Sequence, residues 1–184
     1  MSDKQTNEAP AGPPPPPPPP ENPTSKVSPF VLKLRSAPPG NFFQPENPSQ
    51  KYPSTAPTGP YFFYGTLSDP ALLRDVLGLE SEPQLRPASV MGYKCKLWGQ
   101  YPALLDAPGL VVHGAVYHVQ TKKHAERLAG YETSNYRADP CRINYTDSNE
   151  PREEFGHTFK FVGNMNDLKE GDFVLGAWLK NVKR

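Results

Sequence analysis

Two stretches of this chain hold residues whose types and spacing could do chemistry. The first is YFFYGTLSDPALL, starting at Tyr61. Four aromatic residues end at Gly65, and Ser68-Asp69-Pro70 supplies a polar cap and a first-position proline for a helix. Main-chain amides at a strand-to-helix turn have no internal partners. They can point into a cleft and hold an anion, helped by the helix dipole, and a carboxylate suits them as well as a phosphate. Gly65 would let a ligand come close to the main chain. The stretch is too short for a P-loop and has no lysine after the glycine. Turns of this kind also arise from packing alone.

The second is Glu132, in LAGYETSNY, where a helix should end. Tyr131 and Tyr136 flank it. A carboxylate among aromatic rings has its charged form disfavoured, which makes it a better base. The plain alternative is a solvated glutamate at a helix end. The histidines, His113, His118, His124 and His157, form no ligand pattern, and no Ser-His-Asp or Cys-His order stands out. Neither a metal site nor a nucleophile triad is expected. QYPALLDAPG, residues 100–109, reads as a loop whose apolar centre, Pro102 to Leu105, either walls a pocket or simply connects.

The elements that must position these residues follow from the apolar pattern. Tyr61 to Tyr64 reads as a buried strand. Ala71, Leu72, Leu73, Val76 and Leu77 give a helical face closed by Gly78. Residues 89–98 and 110–119 have strand character. A second helix starts at Thr121, with Ala125, Leu128 and Ala129 as its apolar positions. Residues 136–145 and 155–162 look like two more strands, and Asp172 can cap a last helix, Phe173 to Val182. Strands joined mostly by short loops, with helices as covers, point to an α+β domain around a mixed, barrel-like sheet.

The rest of the composition divides the chain. Eighteen of its 25 prolines precede Tyr61. Pro13 to Pro20 is an unbroken run that forms a stiff polyproline II rod of roughly 25 Å. Residues 1–60 are expected to be a disordered tail and linker, and residues 61–184 one domain. The rod is either a ligand for an SH3, WW or profilin-type partner or a spacer. Val27 to Ser36 is an apolar interruption that could dock on the domain, bind a partner, or mean nothing.

A net charge of +1 gives no electrostatic case for nucleic acid or an anionic membrane. No apolar run is long enough to span a bilayer, and the polar N-terminus lacks a secretory core, so a cytoplasmic location is expected. Cys95 and Cys141 form no CxxC pair and read as free, buried thiols.

In sequence order, FFYGTLSDPALLRDVLG, YPALLDAP, GAVYHV and LAGYETSNYRADPCRI resemble the gamma-glutamylcyclotransferase-like superfamily. The likeness is to its avirulence-induced-protein branch of plants and fungi, and it covers about Tyr61 to Trp178. The resemblance implies a small mixed β-barrel with covering helices. It implies that Tyr64, Gly65, Thr66 and Leu67 grip the α-carboxylate of a γ-glutamyl group, with Glu132 as general acid and base. Tyr136 would match the tyrosine that follows the family's glutamate, and Pro102 and Ala103 the pocket wall. The implied reaction is cofactor-free closure of the γ-glutamyl group to 5-oxoproline, releasing an amine or amino acid. Many relatives carry a glycine directly after the glutamate; here Thr133 stands there. The alternative to an enzyme is a non-catalytic ligand-binding or adaptor protein that keeps the pocket and recruits partners through its tail.

Overall fold

The computed structural model describes residues 56–182. The proline rod, the Val27–Ser36 segment and the linker up to residue 55 lie outside the described residues.

The described residues open with β1 (Gly59–Phe63), a 3-10 turn (Thr66–Ser68) and α1 (Pro70–Leu77). β2 (Arg86–Trp98) and β3 (Tyr101–Val119) form a long hairpin. Then come α2 (Lys122–Glu132), β4 (Tyr136–Tyr145), β5 (Glu153–Phe161), the two-residue β6 (Leu168–Lys169) and α3 (Leu175–Val182). The hydrogen-bonded order is β3-β1-β5-β4-β2, and β2 pairs back onto β3. The five strands therefore close on themselves, which removes exposed sheet edges where the ring is complete. β1 and β5 run parallel and the other neighbours antiparallel, so the barrel is mixed. β6 extends the end of β2 at Leu97 and Trp98.

The aromatic run of β1 is explained by burial on both sides. Tyr61 and Phe63 enter the cluster shared with the helices, beside Leu73, Leu77, Leu128 and Trp178. Phe62 enters a second cluster made of strand residues, with Val90, Val116 and Ile143, and Tyr64 packs against its edge. Each fully buried Phe stabilises by about 1.5–3 kcal/mol, so this strand anchors both cores. At Gly114 of β3, an added Cβ would lie 2.1 Å from the Phe63 carbonyl oxygen, so only glycine lets β3 approach β1 this closely.

α1 starts as its sequence dictates. The Asp69 side chain accepts from the Leu72 amide at 2.8 Å, Pro70 opens the helix, and Gly78 closes it in the left-handed conformation. Thr121 likewise caps α2 by accepting from the His124 amide. The buried positions of α2 are Ala125, Leu128 and Tyr131, while Ala129 is only half-buried.

Residues 100–109 are not a loop. Trp98 pairs with Tyr101 across a tight Gly99-Gln100 turn, and Tyr101 to Asp106 form the first part of β3. On this stretch β3 has a ladder partner, β2, on one side only, the setting in which strand prolines such as Pro102 are tolerated. The register breaks at Gly92, where residues 107–110 bulge out of β3. α3 also begins at Leu175 rather than at Phe173.

Candidate active site

β1 stops at Phe63, but β3 and β5, which flank it, continue. The chain turns away through Tyr64 and Gly65 and leaves a cleft at the strand end. Its lining includes Tyr64, Gly65, Thr66, Leu67, Pro102, Glu132 and Tyr136, with Tyr101 and Phe159 beside them. Most of the residues read from the sequence as candidates thus border one cavity. Ala103 does not: it is fully buried in the core.

Two tyrosines close the gap that β1 leaves. The Tyr64 hydroxyl donates to the Phe159 carbonyl of β5 at 2.5 Å. The Tyr136 hydroxyl donates to the Pro102 carbonyl of β3 at 3.2 Å. Both supply donors to strand carbonyls beyond the reach of β1. Burial pushes both phenols well above their usual range, and the Glu132 charge adds to this. They remain protonated donors at any ordinary pH. Burial also pushes the nearby Cys95 thiol up to about 12.

The turn is built from its own bonds. The Ser68 amide donates to the Gly65 carbonyl at 3.0 Å and the Asp69 amide to the Thr66 carbonyl at 3.1 Å. These bonds begin at Ser68, so the turn makes no use of the amides of Gly65, Thr66 and Leu67. Gly65 has a negative φ, −126°, outside the region that only glycine favours. Its need for glycine is spatial: an added Cβ would sit 2.7 Å from Cγ of Pro102. The glycine expected to admit a ligand thus also admits the opposite wall.

Glu132 is the last residue of α2 and is half-buried. Before it, the Tyr131 hydroxyl meets Thr66 Oγ1 at 2.9 Å in the protein interior. After it, Thr133 adopts φ 65°, ψ 178°. That region is close to glycine-only, and a β-branched residue there is strained. Tyr101 was not singled out from the sequence, and Tyr131 was read only as an aromatic neighbour of Glu132. A tyrosine at a buried helix position reads as core, and nothing local tells that its hydroxyl reaches another element. Among the described residues, no group of three or more His, Cys, Asp or Glu could hold a metal ion. Among the same residues, no helix is long and apolar enough to cross a membrane.

Comparison with known proteins agrees with this architecture. An Arabidopsis thaliana protein solved in solution is 22% identical and superposes with a TM-score of 0.52, covering 68% of this chain and 83% of its own. A second solution structure from that plant is 21% identical with a TM-score of 0.54, covering 72% and 81%. At such identities the likeness concerns the fold. Among curated proteins, none matches. The model of the family described as "Gamma-glutamyl cyclotransferase, AIG2-like" matches residues 61–179, from β1 into α3, and the chain belongs to that family.

Proposed function

We propose that this protein is a cyclotransferase that closes a small γ-glutamyl compound to 5-oxoproline and frees an amine or amino acid. The observation that carries this reading is the shared cleft: the Gly65–Leu67 turn and Glu132, far apart in sequence, border the same cavity.

In this reading the amides of Gly65, Thr66 and Leu67 hold the α-carboxylate. That fixes the α-nitrogen and γ-carbonyl near each other and near Glu132. An α-ammonium group, with a usual pKa of ~7.7–8.0, must lose a proton before it can attack. Glu132 takes it. The α-nitrogen then attacks the γ-carbonyl carbon, a C–N bond forms, and a five-membered ring closes. The original γ-amide C–N bond breaks. The two protons lost by the α-nitrogen end on the leaving nitrogen, giving a lactam N–H and a released ammonium group. One carboxylate can carry both protons in turn.

Because nucleophile and electrophile belong to one molecule, the protein's task is mainly to hold the chain curled. Tyr64 and Tyr136 serve as walls, since their hydroxyl protons are engaged by the Phe159 and Pro102 carbonyls. The test is 5-oxoproline release from a panel of γ-glutamyl amines, amino acids and peptides. Release from at least one member, saturable and free of added cofactor, is the expected result. A protein that binds such compounds without turning any over would instead be a ligand-binding relative of the enzymes.

A further inference from the structure

The two halves of the proposed site come from distant parts of the chain, and one buried hydrogen bond joins them. Thr66 lies in the turn after β1 and is 5% exposed; Tyr131 lies in the last turn of α2 and is 4% exposed. Their hydroxyls are 2.9 Å apart, across 65 residues of sequence. Thr66 is the middle residue of the Gly65–Leu67 turn that borders the cleft, and Tyr131 directly precedes Glu132. Breaking a hydrogen bond between buried hydroxyls is costly, because no bulk water reaches them to replace it. On the far side of Glu132, Thr133 is fixed in its left-handed backbone, and its amide donates to the Ala129 carbonyl at 3.1 Å. Glu132 is therefore held on both sides: by a strut to the turn and by a strained but bonded helix end.

We propose that Tyr131 is a positioning residue, whose hydroxyl ties the Thr66 turn to the end of α2 so that the carboxylate-holding amides and Glu132 keep one fixed spacing. This rests on the cyclotransferase reading for its catalytic consequence, but not for the strut itself. A ring closure needs both ends of the substrate placed at once, and a misplacement of about 1 Å can cost on the order of a hundredfold in rate. Looser coupling should thus lower kcat more than it changes KM.

The test uses the full chain with Tyr131→Phe, Thr66→Val, Thr66→Ser and the Tyr131→Phe/Thr66→Val double variant. Each of the first two removes one hydroxyl of the same bond. We expect kcat to fall about tenfold or more in each, with KM changing less than about threefold. The double variant should be no worse than the poorer single one, because a bond can be removed only once. Thr66→Ser should keep at least fivefold more activity than Thr66→Val. Losses that multiply in the double variant, or an unchanged kcat in Tyr131→Phe, would overturn the proposal.

If the wild-type protein turns over nothing, the function reading fails and the strut is still open to test by amide hydrogen exchange. Tyr131→Phe should then speed exchange at Ser68 and Asp69, whose amides bond the turn's carbonyls, and Thr66→Val should speed it at Thr133. Exchange that changes only beside the substituted residue would show that the two segments are not coupled.

Discussion

Replacing Thr133 by glycine should make this protein more stable, although glycine normally weakens a folded chain. Thr133 sits at φ 65°, ψ 178°, a conformation that costs a side-chain-bearing residue roughly 1–3 kcal/mol. Glycine removes that cost. Against it stand about 0.5–1 kcal/mol of extra chain entropy in the unfolded state. The bond from the Asn135 amide to Thr133 Oγ1 is also lost, but at 3.4 Å it is long and contributes at most about 0.5 kcal/mol. The balance favours glycine by about 1 kcal/mol, or roughly 3–5 °C in Tm for a domain of this size. Thr133→Ala is the control. It loses the same hydroxyl and keeps the strain, so it should be destabilised by about 0.5 kcal/mol. Urea denaturation of the three proteins, followed by tryptophan fluorescence, measures all of this. If glycine and alanine shift the midpoint equally, or if glycine is the less stable, then Thr133 is not strained and the argument about the end of α2 is wrong.

Other consequences are as direct. Gly65→Ala places a Cβ 2.7 Å from the Pro102 ring, so we expect a loss of about 1–3 kcal/mol in denaturant titration together with weaker binding of γ-glutamyl ligands. The Arg86 guanidinium beside Asp147 lowers that carboxyl from 3.8 to about 2. Its folded-state value is depressed, so its stabilisation is present above about pH 4 and is lost as the pH falls toward 2; Asp147→Asn should flatten stability over that window. Burial raises the Cys141 thiol from 9.0 to about 12. Its contribution is full below pH 9 and declines as the pH rises toward 12, so Cys141→Ala should lose stability less steeply than the wild type across that alkaline range.

How much of this was legible in the sequence differs by element. α1 could be read residue by residue, because Asp69, Pro70 and Gly78 are local signals with local causes. β1 was recognisable from its aromatics, although its two-sided burial depends on which elements close over it. The first half of β3 was missed because Pro102, Pro108 and Gly109 signal a loop, and only the one-sided pairing with β2 makes the prolines acceptable there. Barrel closure is likewise a matter of long-range register, which no window of sequence contains.

The site shows the same division. Tyr64 to Leu67, Pro102, Glu132 and Tyr136 were assigned through the family resemblance that their order carries, and they border one cleft. Ala103 was picked out with Pro102, but it is fully buried in the core and does not border the cleft. The Tyr131–Thr66 bond and the strained backbone of Thr133 were invisible, since each depends on where α2 ends relative to a turn far away in sequence.

The central claim is that Glu132 moves the protons of a ring closure. The most direct measurement is 5-oxoproline release by the wild type and by Glu132→Gln, side by side, on the best γ-glutamyl substrate of the panel. Removing a general acid and base should slow turnover by ~10²–10⁴-fold, about 3–5 kcal/mol of transition-state stabilisation, with the fold intact. Turnover by Glu132→Gln within a few-fold of the wild type would contradict the account.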